Sequence, residues 1–188
     1  MIRIGYQGIV GSHSQRAAAL LADNAGIFNA EYVPLISSAN VAEALKDGRI
    51  DYGVMAVYNS IGGDVAETAE ALKNADFRKM TAIVMPIHQC IYKLSTTVAD
   101  SEIRRIASHI QALKQTRNNV KKYFPNASVL EVEDTAAAAK MLSEGVLDRK
   151  TAVICSRETG IAYNLAQIYE NIEDDSSNQT MFVLYALK

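Results

Sequence analysis

The sequence predicts an α/β fold built as two lobes. Strand-length apolar runs alternate with alanine-rich segments of helical period along the chain, and the alternation runs through twice. The 188 residues suffice for one large domain or two small lobes, and 49% hydrophobic with 21% charged residues is an ordinary globular composition. Disordered, fibrous and low-complexity readings are excluded.

The elements follow in order. Ile2 to Tyr6 reads as a strand, Gly8 and Gly11 as a turn, and Ser14 to Ala22 as a helix. Glu31 to Leu35 is extended, Ser38 to Lys46 is a helix stopped at Gly48, Tyr52 to Val57 is a buried strand, and Asp64 to Lys73 is an amphipathic helix. The apolar stretch from Met80 to Leu94, interrupted by Pro86, is expected to be extended chain leading into the second lobe. There Ile103 to Ala107 reads as a strand, Gln111 to Tyr123 as a helix closed by Pro125, and Val129 to Val132 as a strand. Thr135 to Glu144 is a helix ended by Gly145, Thr151 to Cys155 a buried strand, Glu158 to Asn164 a helix, and Thr180 to Tyr185 a last strand. The expected lobes are 1–78 with 166–188, and 79–165.

Charge and composition narrow the function. Nineteen Lys and Arg against 21 Asp and Glu leave a net charge of −2, with no basic surplus for a phosphate backbone, so no nucleic-acid partner is expected. No apolar run reaches the about 20 residues of a membrane span, and the opening residues lack the basic-then-apolar order of a signal peptide. A soluble cytoplasmic protein is expected, in which Asn126-Ala127-Ser128 and Asn178-Gln179-Thr180 have no meaning as glycosylation sequons. Cys90 and Cys155 stand in apolar runs without a CxxC pattern and are expected as reduced, buried thiols. His13, His88 and His109 are too scattered for a metal site, and neither a Walker loop nor GxGxxG is present, so no metal or nucleotide cofactor is expected.

Ligands of open α/β sheets bind beyond the carboxyl ends of the strands, and four polar clusters lie at such ends. They are Gly8-Ile9-Val10-Gly11-Ser12-His13-Ser14, Tyr58-Asn59-Ser60-Ile61-Gly62-Gly63, Ser108-His109-Ile110-Gln111-Ala112-Leu113, and Asp174 through Thr180. The first leads into a helix N-terminus, which favours an anion, although a glycine turn with Ser12 or Ser14 as helix cap explains the same residues. Ser108 reads equally well as a cap, and Gly62-Gly63 as a plain turn.

Together these residues resemble the catalytic domain of prephenate dehydratases, enzymes that convert prephenate to phenylpyruvate on the way to phenylalanine. Gly8, Gly11 and Ser14 match the family's Gly-Pro-x-Gly-Thr-Phe-Ser, and Asp51-Tyr52-Gly53-Val54 matches its Asp-Tyr-Gly-Val. Asn59-Ser60-Ile61-Gly62-Gly63 resembles Glu-Asn-Ser-x-x-Gly, with Tyr58 in place of the glutamate. Ser108 to Gln115 resembles Ser-His-Pro-Gln-Ala-Leu-x-Gln and is the most specific string. Asp174, Asn178, Thr180, Met181 and Phe182 line up with Asp-x-x-x-Asn-x-Thr-Arg-Phe, the arginine having become Met181.

The resemblance implies Rossmann-like lobes arranged as in type II periplasmic binding proteins, an active cleft between them, no cofactor, a homodimer, and no ACT regulatory domain after Lys188. It implies Thr180 as the acid for the departing ring hydroxyl. It implies Gly11, Ser12, Ser14, Asn59, Ser60, Ser108, His109, Gln111, Ala112, Leu113, Asn178, Met181 and Phe182 around the substrate, prephenate or a related anionic cyclohexadiene. With the arginine gone, His13 and Arg157 join the candidates for holding carboxylates. Two alternatives accompany this reading: a decarboxylase that does not aromatise the ring, because an apolar Met181 would desolvate a carboxylate, and a binding domain without catalysis.

Overall fold

The computed structural model describes residues 1–73, 75–95 and 99–188. The first part of the chain forms β1 (Ile2–Tyr6), α1 (His13–Asn24), β2 (Ala30–Pro34), α2 (Ser38–Lys46), β3 (Tyr52–Asn59), β4 (Gly63–Asp64), α3 (Ala66–Leu72) and β5 (Phe77–Pro86). It continues with β6 (Cys90–Lys93), a 3-10 turn at Asp100–Glu102, β7 (Arg105–Ser108), α4 (Ile110–Gln115), α5 (Arg117–Tyr123) and β8 (Ser128–Glu131). Last come α6 (Thr135–Ser143), β9 (Thr151–Cys155), α7 (Arg157–Ala162), β10 (Ala166–Tyr169) and β11 (Gln179–Leu187).

Two compact units result, Met1–Ile87 with Ser177–Lys188 and His88–Ser176. The divisions fall after residues 87 and 176, where 78 and 165 were expected. The reason is strand pairing: β11 runs antiparallel to β5 from Gln179 opposite Pro86 to Leu187 opposite Phe77, so β5 belongs wholly to the first unit. The expected extended stretch from Met80 to Leu94 is accordingly two strands, one in each unit.

The first unit is a sheet ordered β2-β1-β3-β11-β5, with β4 paired to β3. The pairs β1–β2 and β1–β3 are parallel, whereas β11 is antiparallel to both its neighbours. Helix α1 covers one face, where Ala18 and Leu21 pack with Ile4, Tyr6, Val54, Phe182 and Leu184. Helix α2 covers the other, through Val41 and Leu45 against Ile50 and Met55. Each buried Leu contributes about 1.5–3 kcal/mol. Gly5 and Gly53 are register partners under α2, and a Cβ would lie 2.5 Å from Ile50 Cδ1 at the first and 2.6 Å from Val41 Cγ1 at the second. The family-like Asp-Tyr-Gly-Val glycine is thus a seat for the helix.

The second unit is a sheet ordered β10-β6-β9-β7-β8. Ile91, Ile106 and Ile154 face α4 and α5, with Leu113 and Val120. Cys90, Tyr92, Val153 and Cys155 face α6, with Ala138 and Leu142. A Cβ at Gly160 of α7 would fall inside the Tyr92 ring, so only glycine fits there.

One expected helix is two. The segment from Gln111 to Tyr123 breaks at Thr116, whose φ of −119° and ψ of 8° leave the helical region. The Thr116 hydroxyl donates back to the Ala112 carbonyl at 2.8 Å and offers α5 no cap. That cap comes from far along the chain: the Asp174 carboxylate accepts from the amides of Asn118 and Asn119, each at 2.9 Å. The strands β4 and β10, absent from the sequence reading, exist through pairing with β3 and β6. No helix of the described residues is long and apolar enough to cross a membrane.

Candidate functional site

In the first unit, the polar residues gather at the end of β3 and the start of β11. Asn59 and Thr180 are direct cross-strand partners. The Asn59 Nδ2 amide donates to Thr180 Oγ1 at 2.9 Å and to Asn178 Oδ1 at 2.8 Å. Its Oδ1 accepts from the amides of Ile61 at 3.0 Å and Gly62 at 2.8 Å, which folds the turn after β3 around the side chain. Both ends of Asn59 are thus fixed.

Thr180 is 8% exposed and Asn178 1%. The Thr180 oxygen accepts a hydrogen bond, yet among the described residues no acceptor takes its own proton. Asn178 Nδ2 is likewise a buried donor without a partner among the described residues. A buried donor left unmade costs about 1–3 kcal/mol, which a ligand acceptor offsets. A hydroxyl whose oxygen is held by an amide and whose proton is uncommitted suits proton donation, because the amide stabilises the negative charge left behind.

Ser60 has another part. Its hydroxyl donates to the Ser177 carbonyl at 3.1 Å and accepts from the Gln179 amide at 2.9 Å, while its own amide donates to the Gln179 carbonyl at 2.8 Å. It latches the entry of β11 onto the turn after β3.

Met181 does not share the face of Thr180. Successive residues of a strand alternate sides, and Met181 pairs with Tyr58 on β3 and Val84 on β5. Tyr58 is 45% and Val84 51% exposed, so an apolar trio stands on the side of the sheet away from the Thr180 hydroxyl. A carboxylate desolvated by Met181 would therefore lie on the sheet face opposite the Thr180 hydroxyl. Phe182, on the other side, lies in the core under α1.

The glycine loop after β1 is built from within. Gly8 and Gly11 have φ of +106° and +88°, conformations that L side chains rarely adopt. Gly8 exchanges hydrogen bonds with Ile36, itself held at a φ of +66°, and Ser12 donates to the Ile9 carbonyl. The Ser12 hydroxyl caps α1, accepting from the Gln15 amide at 3.3 Å, and Gln15 Oε1 accepts from the Gly11 amide at 2.7 Å. The amides of Gly8, Gly11 and Ser12 are therefore engaged by the protein itself. His13 opens α1 and Ser14 follows it, both half-buried. Gln15 was not anticipated, although the Ser-x-x-Gln spacing is the signature of a capping box. Tyr6 ends β1 fully buried, its hydroxyl unpartnered among the described residues and its pKa pushed up to about 12 by burial.

In the second unit, the Ser108 to Leu113 string spans the end of β7 and the start of α4. The Ser108 hydroxyl is buried and donates to the Ile154 carbonyl at 2.6 Å, extending the β7–β9 pairing by one position. His109, rather than Ser108, caps α4: its Nδ1 accepts from the Gln111 amide at 3.3 Å. Gln111 is exposed, whereas Ala112 and Leu113 are core residues. Arg157 is exposed on the first turn of α7. Among the described residues no three His, Cys, Asp or Glu side chains gather as for a metal ion.

Known proteins match this chain over nearly all of its length. Arogenate dehydratase 5, a chloroplastic protein of Arabidopsis thaliana, is 30% identical over 98% of the chain and 42% of its own length. The bifunctional chorismate mutase/prephenate dehydratase of Aquifex aeolicus is 30% identical over 98% of the chain and 49% of its own length. The chain thus spans less than half the length of these two relatives. The crystal structure of the prephenate dehydratase of Arthrobacter aurescens, solved with L-Phe, superposes with a TM-score of 0.85 at 25% identity, covering all of this chain and 61% of that one. The model of the family named prephenate dehydratase matches residues 4–188. The chain belongs to the prephenate dehydratase family.

Proposed function

We propose that this chain carries the chemistry of a dehydratase in phenylalanine biosynthesis, acting on prephenate or arogenate. The observation that supports this most directly is the Thr180 hydroxyl, held through its oxygen by Asn59 Nδ2 at 2.9 Å and uncommitted through its proton. Thr180 gives that proton to the departing ring hydroxyl, which leaves as water while carbon dioxide departs and the ring becomes aromatic. The Asn59 amide stabilises the threonine oxyanion until solvent reprotonates it. Asn178 Nδ2 supplies a donor for an anionic or hydroxyl oxygen of the substrate. No step calls for a metal or cofactor.

The test is product identification after incubation with prephenate and, separately, arogenate. Phenylpyruvate from the first or phenylalanine from the second supports dehydration and selects the substrate. A non-aromatic keto acid from prephenate means decarboxylation without loss of the hydroxyl, and saturable binding without turnover means a binding protein. Either of the last two overturns the proposal. Thr180→Val keeps the shape of the side chain and removes the proton donor, so turnover is expected to vanish in a variant that still folds.

A further inference from the structure

The two cysteines are far apart in sequence and meet in the second unit. Cys90 on β6 and Cys155 on β9 are direct partners of an antiparallel pair. They lie on the same face, in the cluster that packs under α6, and are 3% and 0% exposed. Both are free thiols. Directly opposed residues of antiparallel strands have Cα atoms about 4.5 or 5.5 Å apart, depending on which kind of pair they form. Both values fall within the about 4.4–6.8 Å that a disulfide spans.

We propose that Cys90 and Cys155 form a dithiol that closes to an intramolecular disulfide across β6 and β9 when the protein meets a peroxide. In the first step a thiolate attacks hydrogen peroxide, the O–O bond breaks, the thiol becomes a sulfenic acid and water leaves. In the second the other thiol attacks that sulfur, the S–O bond breaks, the S–S bond forms and a second water leaves. Two electrons pass from the sulfurs to one peroxide, which balances the reaction.

The surroundings assign an order to the two residues. Burial raises both thiols above their ordinary value, and the like charge of Cys90 raises Cys155 further. For Cys90 hydrogen bonds from the Asn171 backbone and the Tyr92 side chain work against burial, while the negative charges of Glu173 and Glu170 add to it, and the thiol stays above its ordinary value. Cys90 is the first residue of β6, one strand in from the β10 edge, whereas Cys155 lies fully buried on the central strand β9, so Cys90 is the thiol that meets the peroxide and Cys155 the one that resolves the sulfenic acid. Because the thiolates are disfavoured in the closed sheet, the reaction is slow and depends on local opening of β6.

Intact mass and peptide mapping after peroxide treatment of the folded protein test this. The expected result is a loss of two hydrogens, a linked peptide pair containing Cys90 and Cys155, and full reversal by a phosphine reductant. In Cys90→Ser or Cys90→Val the loss of two hydrogens disappears, whichever variant folds. Cys155→Ser is expected to leave a sulfenic acid at Cys90 that dimedone traps. Oxygen adducts without the cross-link, a cross-link only between molecules, or two intact thiols under conditions that oxidise the unfolded chain would each overturn the proposal.

Discussion

Met181 on β11 lies directly across from Tyr58 on β3. These are the two positions at which the chain departs from the Glu-Asn-Ser and Thr-Arg-Phe patterns of its family. The two departures are therefore neighbours in space: where the family patterns carry an acidic and a basic residue, this chain sets a half-exposed aromatic opposite a thioether. Their face is not that of Thr180, which leaves the Asn59–Thr180 pair intact.

Reintroducing the charges one at a time is expected to destabilise, and together to recover. Tyr58→Glu alone sets a carboxylate opposite Asp64, its partner on β4, while Met181→Arg alone puts a cation among apolar neighbours. A double-mutant cycle read by denaturant unfolding should give a favourable coupling of about 0.2–1 kcal/mol. Additive effects would mean that the two side chains do not meet.

Asn59→Asp separates the two ends of that side chain. One carboxylate oxygen still accepts from Ile61 and Gly62, but the other takes the Thr180 proton instead of donating to its oxygen. Turnover should fall about a hundredfold to a thousandfold with circular dichroism unchanged. Undiminished kcat would remove Asn59 from the support of Thr180.

Asp174→Ala removes the carboxylate that caps the first turn of α5, where Thr116 gives no side-chain cap. The expected cost is about 0.5–2 kcal/mol, read as a lower midpoint in chemical denaturation. Asp174→Asn, which keeps one acceptor, should retain most of that stability.

Tyr6→Phe tests the buried hydroxyl. Folding raises the Tyr6 pKa from 10 to about 12, so the neutral ring is favoured in the fold. The stability this provides is complete below the unfolded value and is lost as pH rises through that window, because the unfolded chain ionises first. The phenylalanine variant should be as stable as the parent or more so at neutral pH, since no described partner is lost, and its stability should fall less steeply between pH 10 and about 12. An equal slope in both proteins would assign the alkaline loss to other tyrosines.

Local patterns were enough for most of the elements. The helix Ser38–Lys46 and the strands Ile2–Tyr6 and Thr151–Cys155 have the expected bounds, because their apolar period and stop residues are local signals. Thr180 and Asn59 were legible as individual residues of two motifs.

What depends on the fold is how distant residues meet. Nothing near Thr116 announces that Asp174 caps α5, and nothing in either cysteine's neighbourhood announces the other. The exposed face of Met181 follows from strand register, and the latch of Ser60 on residues 177 and 179 follows from β11 returning beside β3. Local propensity acts over a few residues, whereas these contacts join positions tens to more than a hundred residues apart, so only the closed sheets bring them together.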